Sequence, residues 1–140
     1  MKTANLALAL FALFALCLLS AVTSAQAVIE FPKRSGTATR EAAINKGVTG
    51  WDYQLKARPG QTVSIRLEPS PARGATFELY YEGEGDHPVS ISSKATVWTG
   101  RLPKTGLEDR RGIATYTLSV GSRARRLRGE VKFKLTITVR

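Results

Sequence analysis

The chain has 140 residues with Lys and Arg well in excess of Asp and Glu, 21 against 11, giving a formal net charge of +10. A single cysteine and a single histidine exclude a disulfide framework and a zinc cage, so a folded domain must rest on its hydrophobic core. The charge points to acidic partners.

The first element is a leader. Met1 and Lys2 precede an apolar run from Leu6 to Leu19, and small and polar residues follow to Ala25-Gln26-Ala27. This is the layout of a secretory signal peptide with an A-x-A cleavage site, so residues 1–27 are expected to be removed and the mature chain to begin at Val28. The apolar run is shorter than the roughly 20 residues a membrane-spanning helix needs, so no membrane anchor is expected. Cys17 follows Leu16, where a lipoprotein signal would place a small residue, and lipid attachment there is disfavoured. Loss of the leader removes Lys2 and no acidic residue, lowering the net charge by one to +9. Export separates such a chain from most nucleic acid, and no helix-turn-helix, zinc-ligand or RNA-binding aromatic motif is present. Anionic envelope polymers or an acidic cleft on another protein suit it better.

Residues 28–140 read as one domain built almost wholly of strands. Val28 to Phe31 reads as an edge strand, and Glu41 to Lys46 as one helical turn or a further strand, the strand being preferred. Next come Tyr53-Leu55-Ala57, a turn at Pro59-Gly60, then Val63-Ile65-Leu67 and Ala75-Phe77-Leu79-Tyr81, each run alternating apolar with polar residues. Glu68 to Gly74 and Glu82 to Pro88 carry the Pro, Gly and acidic residues that punctuate such runs. Val89 to Ile91 and Ala95 to Trp98 follow, then a polar excursion from Leu107 to Ala114. Tyr116-Leu118-Val120 and Val131-Phe133-Leu135-Ile137-Val139 close the chain. Seven to nine short strands with regular turns predict an all-β, antiparallel β-sandwich.

The last two strands read as a hairpin whose connecting segment, Gly121 to Glu130, carries Arg123, Arg125, Arg126 and Arg128. A loop held at a sheet end is where binding residues usually sit. The competing reading is that basic residues in loops are solvated surface or edge protection.

Other chemistry is weaker. Glu82, Glu84 and Asp86 alternate with glycine ahead of His87, but three carboxylates on a turn fall short of the six to eight oxygens calcium takes, and a solvated turn is expected. Asp52, Glu108 and Asp109 form no acid and base pair at glycosidase spacing, and no Gly-x-Ser-x-Gly elbow is present. No enzyme activity, metal or cofactor is expected.

Taken as one array, Gly50-Trp51-Asp52-Tyr53-Gln54-Leu55-Lys56-Ala57, Pro59-Gly60-Gln61-Thr62-Val63, Ala75-Thr76-Phe77, Trp98 to Gly106, Tyr116 to Val120 and the final strand resemble the bacterial pre-peptidase C-terminal-like β-sandwich. Within that group, the arginine-bearing loop before the last strand and the start Val28-Ile29-Glu30-Phe31 are similar to the periplasmic inhibitors of goose-type lysozyme. The resemblance implies an exported inhibitor whose loop enters the lysozyme's substrate cleft and sets arginine against the catalytic carboxyl groups. The matching positions lie within Ser122 to Arg128, led by Arg123 and Arg128, then Arg125 and Arg126. Arg suits the task because its planar fork stays charged and grips a carboxylate through two hydrogen bonds. The pattern also has an aromatic near the first long strand, where Trp51 and Tyr53 compete. Tyr53 is needed in the core, and Trp51 is an interface anchor if exposed or ordinary core if buried. The Leu107 to Ala114 excursion departs from the pattern, which runs almost directly from Leu-Pro-x-Ser-Gly to the strand tyrosine. Lysozymes are commonly basic, so long-range repulsion is expected to make such binding strengthen as salt rises to moderate levels. A cationic module that binds acidic envelope glycans or peptidoglycan is the alternative function, with charge spread over the surface instead of concentrated in one loop.

Overall fold

The computed structural model describes residues 25–31 and 36–140; the leader through Thr23 and Ser24, with Cys17, lies outside the described residues. Nine strands run in chain order: β1 (Ala25–Val28), β2 (Thr37–Ile44), β3 (Gly50–Ala57), β4 (Thr62–Ser70), β5 (Ala75–Glu82), β6 (Pro88–Ala95), β7 (Val97–Arg101), β8 (Ala114–Ser122) and β9 (Val131–Val139). They form two sheets, β1-β3-β8-β5-β6 and β2-β9-β4-β7. All pairings are antiparallel except β1 with β3. The architecture is an all-β sandwich.

Alternation decides which side of each strand is inside. Val131, Phe133, Leu135 and Ile137 are buried along β9 while Lys132 and Lys134 face water. Along β8, Tyr116, Leu118 and Val120 are buried with Thr117 and Ser119 between them. The inner faces meet in one core that also takes Tyr53, Leu55, Val63, Ile65, Leu67, Phe77 and Leu79. Burying such side chains stabilises by about 1.5–3 kcal/mol each and is the main force holding the sheets together. Gly60, with φ of +88°, supplies the left-handed position of the Pro59-Gly60 turn.

The edges are protected. On the outer strand β2, Arg40 stands opposite Leu135 and so shares the inward face, where a charge blocks a second sheet from adding on. Its Nη1 donates to the Thr39 carbonyl. The opposite edge of the other sheet, β6, is irregular, with shifts of register against β5 around Leu79 and a positive φ at Lys94.

Several expectations need correction. The β8 and β9 runs form no hairpin: β8 lies between β3 and β5 in one sheet, β9 between β2 and β4 in the other, and residues 123–130 cross between the sheets. Period-2 alternation reports one buried face in both arrangements and does not choose the partner. The punctuation read at Glu68 to Gly74 begins too early, since Glu68, Pro69 and Ser70 continue β4 against Lys134, Phe133 and Lys132. The run Ala95 to Trp98 spans two strands, because the chain changes sheet at Thr96, whose carbonyl accepts from the Leu67 N–H. At the start, the paired residues are Ala25–Val28, not Val28 to Phe31. Ile29 follows as a buried residue whose N–H donates to the Gln54 carbonyl at 2.9 Å.

Nearly every connection passes from one sheet to the other, so loops gather at the two ends of the sandwich. The β2–β3, β4–β5 and β8–β9 connections share one end. The β3–β4, β5–β6 and β7–β8 connections share the other.

Candidate functional site

The first end is strongly cationic. Gly50 stands opposite Gly121 and Ala75 opposite Ser122, so the start of β3, the start of β5 and the end of β8 lie side by side. Three loops therefore emerge together, carrying Lys46, Arg73, and the group Arg123, Arg125, Arg126 and Arg128, all exposed. Among the described residues none of these cations is in an ion pair; the pairs present are Arg111 with Asp109 and Lys132 with Glu130. Unpaired guanidinium groups keep all their donors for a partner.

The loops are held at their bases. The Arg123 N–H donates to the Gly74 carbonyl at 3.1 Å, tying the crossover to the β4–β5 turn. The Ser122 hydroxyl accepts from the Ala124 N–H at 3.1 Å. Leu127, half-buried, packs against the core and pins the far side of the crossover. In the β2–β3 loop, Asn45 Oδ1 accepts from the N–H groups of Gly47 and Val48 at 2.8 and 2.9 Å, and the Val48 carbonyl accepts from the Asn45 N–H, closing a turn that presents Lys46.

Two hollows flank the crossover. One, of about 610 Å³, runs between the β2–β3 loop and the crossover, with Lys46, Arg125 and Arg126 on its walls and Leu127 below. The other, of about 470 Å³, lies on the outer face of the five-stranded sheet and is lined by Arg123 with Glu78, Lys94 and Ser119. The structure thus divides the four arginines: Arg125 and Arg126 face Lys46, Arg123 faces the sheet, and Arg128 lines neither hollow. A further hollow of about 530 Å³ beside β9 mixes Glu41, Glu68 and Glu130 with Lys132 and Lys134, so its charges largely neutralise one another.

Trp51 belongs to the same end, on β3 opposite Val120. It is half-buried, stacked on Tyr53 with ring centroids 6.2 Å apart, and its indole N–H donates to the Ala43 carbonyl at 2.9 Å. Its one polar group is satisfied inside the protein, so only its remaining ring surface faces outward. Tyr53 is fully buried, and that burial pushes its hydroxyl up to about 12, with Arg40 pulling the other way.

The opposite end is built differently. Glu108 Oε1 accepts from the Thr105 N–H at 2.8 Å and from the Gly106 N–H, and these bonds hold its carboxyl below the usual range. Asp109 Oδ1 accepts from the Ile113 and Arg111 N–H groups, both at 2.8 Å, with the same result. The Leu107 to Ala114 excursion is thus a laced turn, and it projects away from the arginines. Tyr116, buried and also pushed up to about 12, fastens its root by donating to the Pro103 carbonyl at 2.7 Å. Among the described residues no group of three or more His, Cys, Asp or Glu is placed to hold a metal ion.

Sequence reasoning missed Lys46, Thr49 and Arg73. Each is an ordinary polar residue in a turn, and only the sheet order makes them neighbours of the arginine segment.

No protein-family model matches the sequence, and no curated protein does. Solved structures do. The chain is similar to the periplasmic lysozyme inhibitor of g-type lysozyme from Aeromonas hydrophila, with 21% identity and a TM-score of 0.64 over 84% of this chain and 98% of that one. It is also similar to the Salmonella Typhimurium inhibitor of the same name, with 23% identity and a TM-score of 0.61 over 84% of this chain and all of the other. The pre-peptidase C-terminal domain of a Bacillus anthracis collagenase matches with 11% identity and a TM-score of 0.52, over 83% and 95% of the two chains. These likenesses show the fold: the β-sandwich of this chain is similar to that of the two inhibitors and of the pre-peptidase C-terminal domain.

Proposed function

We propose that this protein is an exported, non-catalytic inhibitor that binds a lysozyme, of goose type first, and blocks its substrate cleft with the cationic end of the sandwich. The observation that carries the reading is the coincidence of two things: a fold shared with periplasmic inhibitors of g-type lysozyme, and exposed, unpaired arginines on a base-anchored loop at one end of it. A lysozyme cuts its substrate with carboxyl groups, and a guanidinium fork set against them would neutralise them and exclude substrate together. Arg123, Arg125, Arg126 and Arg128 are assigned to that contact, with the outer edge of Trp51 beside them. The periplasm is the fitting compartment, reached through the leader.

The deciding experiment measures cell-wall lysis by goose-type, chicken-type and invertebrate-type lysozymes with the purified mature protein added. Stoichiometric inhibition of the goose type alone supports the full reading. Inhibition of another type keeps the inhibitor and changes its target. Failure to inhibit any of them refutes it and favours a module for anionic envelope polymers.

A further inference from the structure

The outer face of the five-stranded sheet carries another hollow, toward the end away from the arginine loop and made differently. Outward-pointing residues of β3, β8 and β5 stand there in one row, Gln54 opposite Thr117 and Thr117 opposite Tyr80. Asp52 and Glu82 flank the row, and Leu107 of the β7–β8 excursion stands beside it, enclosing about 240 Å³. We propose that this hollow binds one uncharged pyranose ring of a glycan, through hydrogen bonds with Asp52, Gln54 and Thr117 and apolar contact with Leu107. The site is separate from the cationic end and does not depend on the inhibitor reading.

The lining rejects one sign of charge. Asp52 and Glu82 border the hollow and no Lys or Arg does, on a chain of net charge +10, so the anionic polymers that suit the other end are repelled here. A lone cation would satisfy the carboxylates but leave the Gln54 amide and the hydroxyls of Thr115 and Thr117 without use. A ring with several hydroxyls engages every kind of group present, because each hydroxyl both donates to a carboxylate or amide oxygen and accepts from an amide N–H or a threonine. The groups are available: among the described residues the side chains of Asp52, Gln54 and Glu82 make no hydrogen bond and no ion pair. Tyr80 completes the floor, half-buried; burial first, then the Asp52 carboxylate, pushes its hydroxyl above the usual range, so it stays protonated.

The rim is made by the excursion that sets this chain apart from the inhibitor pattern. Leu107 is 57% exposed, yet its backbone is fixed, since its N–H donates to Thr105 Oγ1 at 3.1 Å and the Thr105 N–H donates to Glu108. A pyranose has a face of C–H groups, and contact between that face and Leu107 removes apolar surface of both from water. The volume is the share of about eight water molecules at roughly 30 Å³ each, room for a single ring. Gln26 closes the side along β3, and its loss with the leader leaves that side open for the ring to be one unit of a longer chain.

The test titrates isotope-labelled mature protein with the methyl glycosides of glucose, galactose, mannose and N-acetylglucosamine, and with N-acetylarginine amide as the cationic alternative. Amide NMR shifts at Gln54, Tyr80, Leu107 and Thr117 with at least one glycoside are expected, with a dissociation constant of about 1–10 mM for a single ring. Gln54→Ala and Leu107→Ser, both changes outside the core, should each weaken that binding by about fivefold or more, while Glu41→Ala on the other sheet leaves it unchanged. The spectrum without ligand shows whether each variant is folded, and either folded variant decides the question. Shifts with the arginine derivative alone, glycoside shifts confined to other residues, glycoside binding that a folded Gln54→Ala or Leu107→Ser variant retains in full, or no shift with any probe would overturn the site.

Discussion

Replacing Arg125 and Arg126 together by Ala separates a specific loop contact from diffuse charge. Both side chains are exposed and, among the described residues, neither is in an ion pair, so the fold loses almost nothing and stability should stay within about 0.5 kcal/mol of wild type. The effect on binding depends on what the arginines meet. A guanidinium gripping a carboxylate in a water-excluded cleft is a hot-spot contact, worth about 2–4 kcal/mol on truncation, or roughly 30- to 1,000-fold in the inhibition constant for the first Arg removed. Two solvated charges among the +10 of the chain are worth far less, since at physiological salt their fields fade over about 8 Å. The assay is a lysis titration in 0.15 M salt, run beside Arg110→Ala with Arg111→Ala, which removes equal charge at the opposite end. The expected result is a loss of at least 30-fold for the first pair and under threefold for the second. Equal, modest losses for both pairs would refute the loop mechanism.

Trp51→Phe keeps the ring packing but strands the Ala43 carbonyl, and should lower stability by about 1–2 kcal/mol in urea unfolding, with a smaller effect on inhibition than the arginine pair. Tyr116→Phe removes the hydroxyl bond to the Pro103 carbonyl and should cost about 1 kcal/mol, with inhibition unchanged, because the excursion it fastens lies at the far end. The lowered carboxyls of Glu108 and Asp109 stabilise the β7–β8 turn when ionised. Their contribution is present above the unfolded values near 4 and is lost as pH falls below them, so hydrogen exchange across residues 105–113 should quicken below about pH 4, and in the Glu108→Gln, Asp109→Asn double variant already at neutral pH. Intact-mass measurement of the exported protein will locate its first residue. A start at Val28 removes Ala25, Gln26 and Ala27 from their seats opposite Trp51, Asp52 and Tyr53, and predicts faster exchange along that edge of β3 than a start at or before Ala25.

Strand positions were legible because they are local. A buried side chain at every second residue is required of any strand with one wet face, and Tyr116-Leu118-Val120 and Val131 to Val139 display that requirement without reference to their neighbours. The fold class followed from the number and spacing of such runs. The arginines were also visible, since a dense basic segment between two strands can only be a loop.

Pairing was not legible. Which strand lies beside which is decided by non-local burial, and the same alternation serves a hairpin and a crossover alike, so β8 and β9 were read as partners when they lie in different sheets. The candidate site changed with them. As a hairpin tip the four arginines would form one cluster of their own. As a crossover they are divided: Arg125 and Arg126 turn toward Lys46, and Arg123 turns toward the outer sheet face. Trp51 shows the same limit, because its indole bond to Ala43 joins residues whose strands lie in different sheets. The sequence by itself determined the strands, the charge and the loop that carries it; the tertiary structure decided what stands opposite that loop, because sheet order brings together side chains that the chain keeps dozens of residues apart.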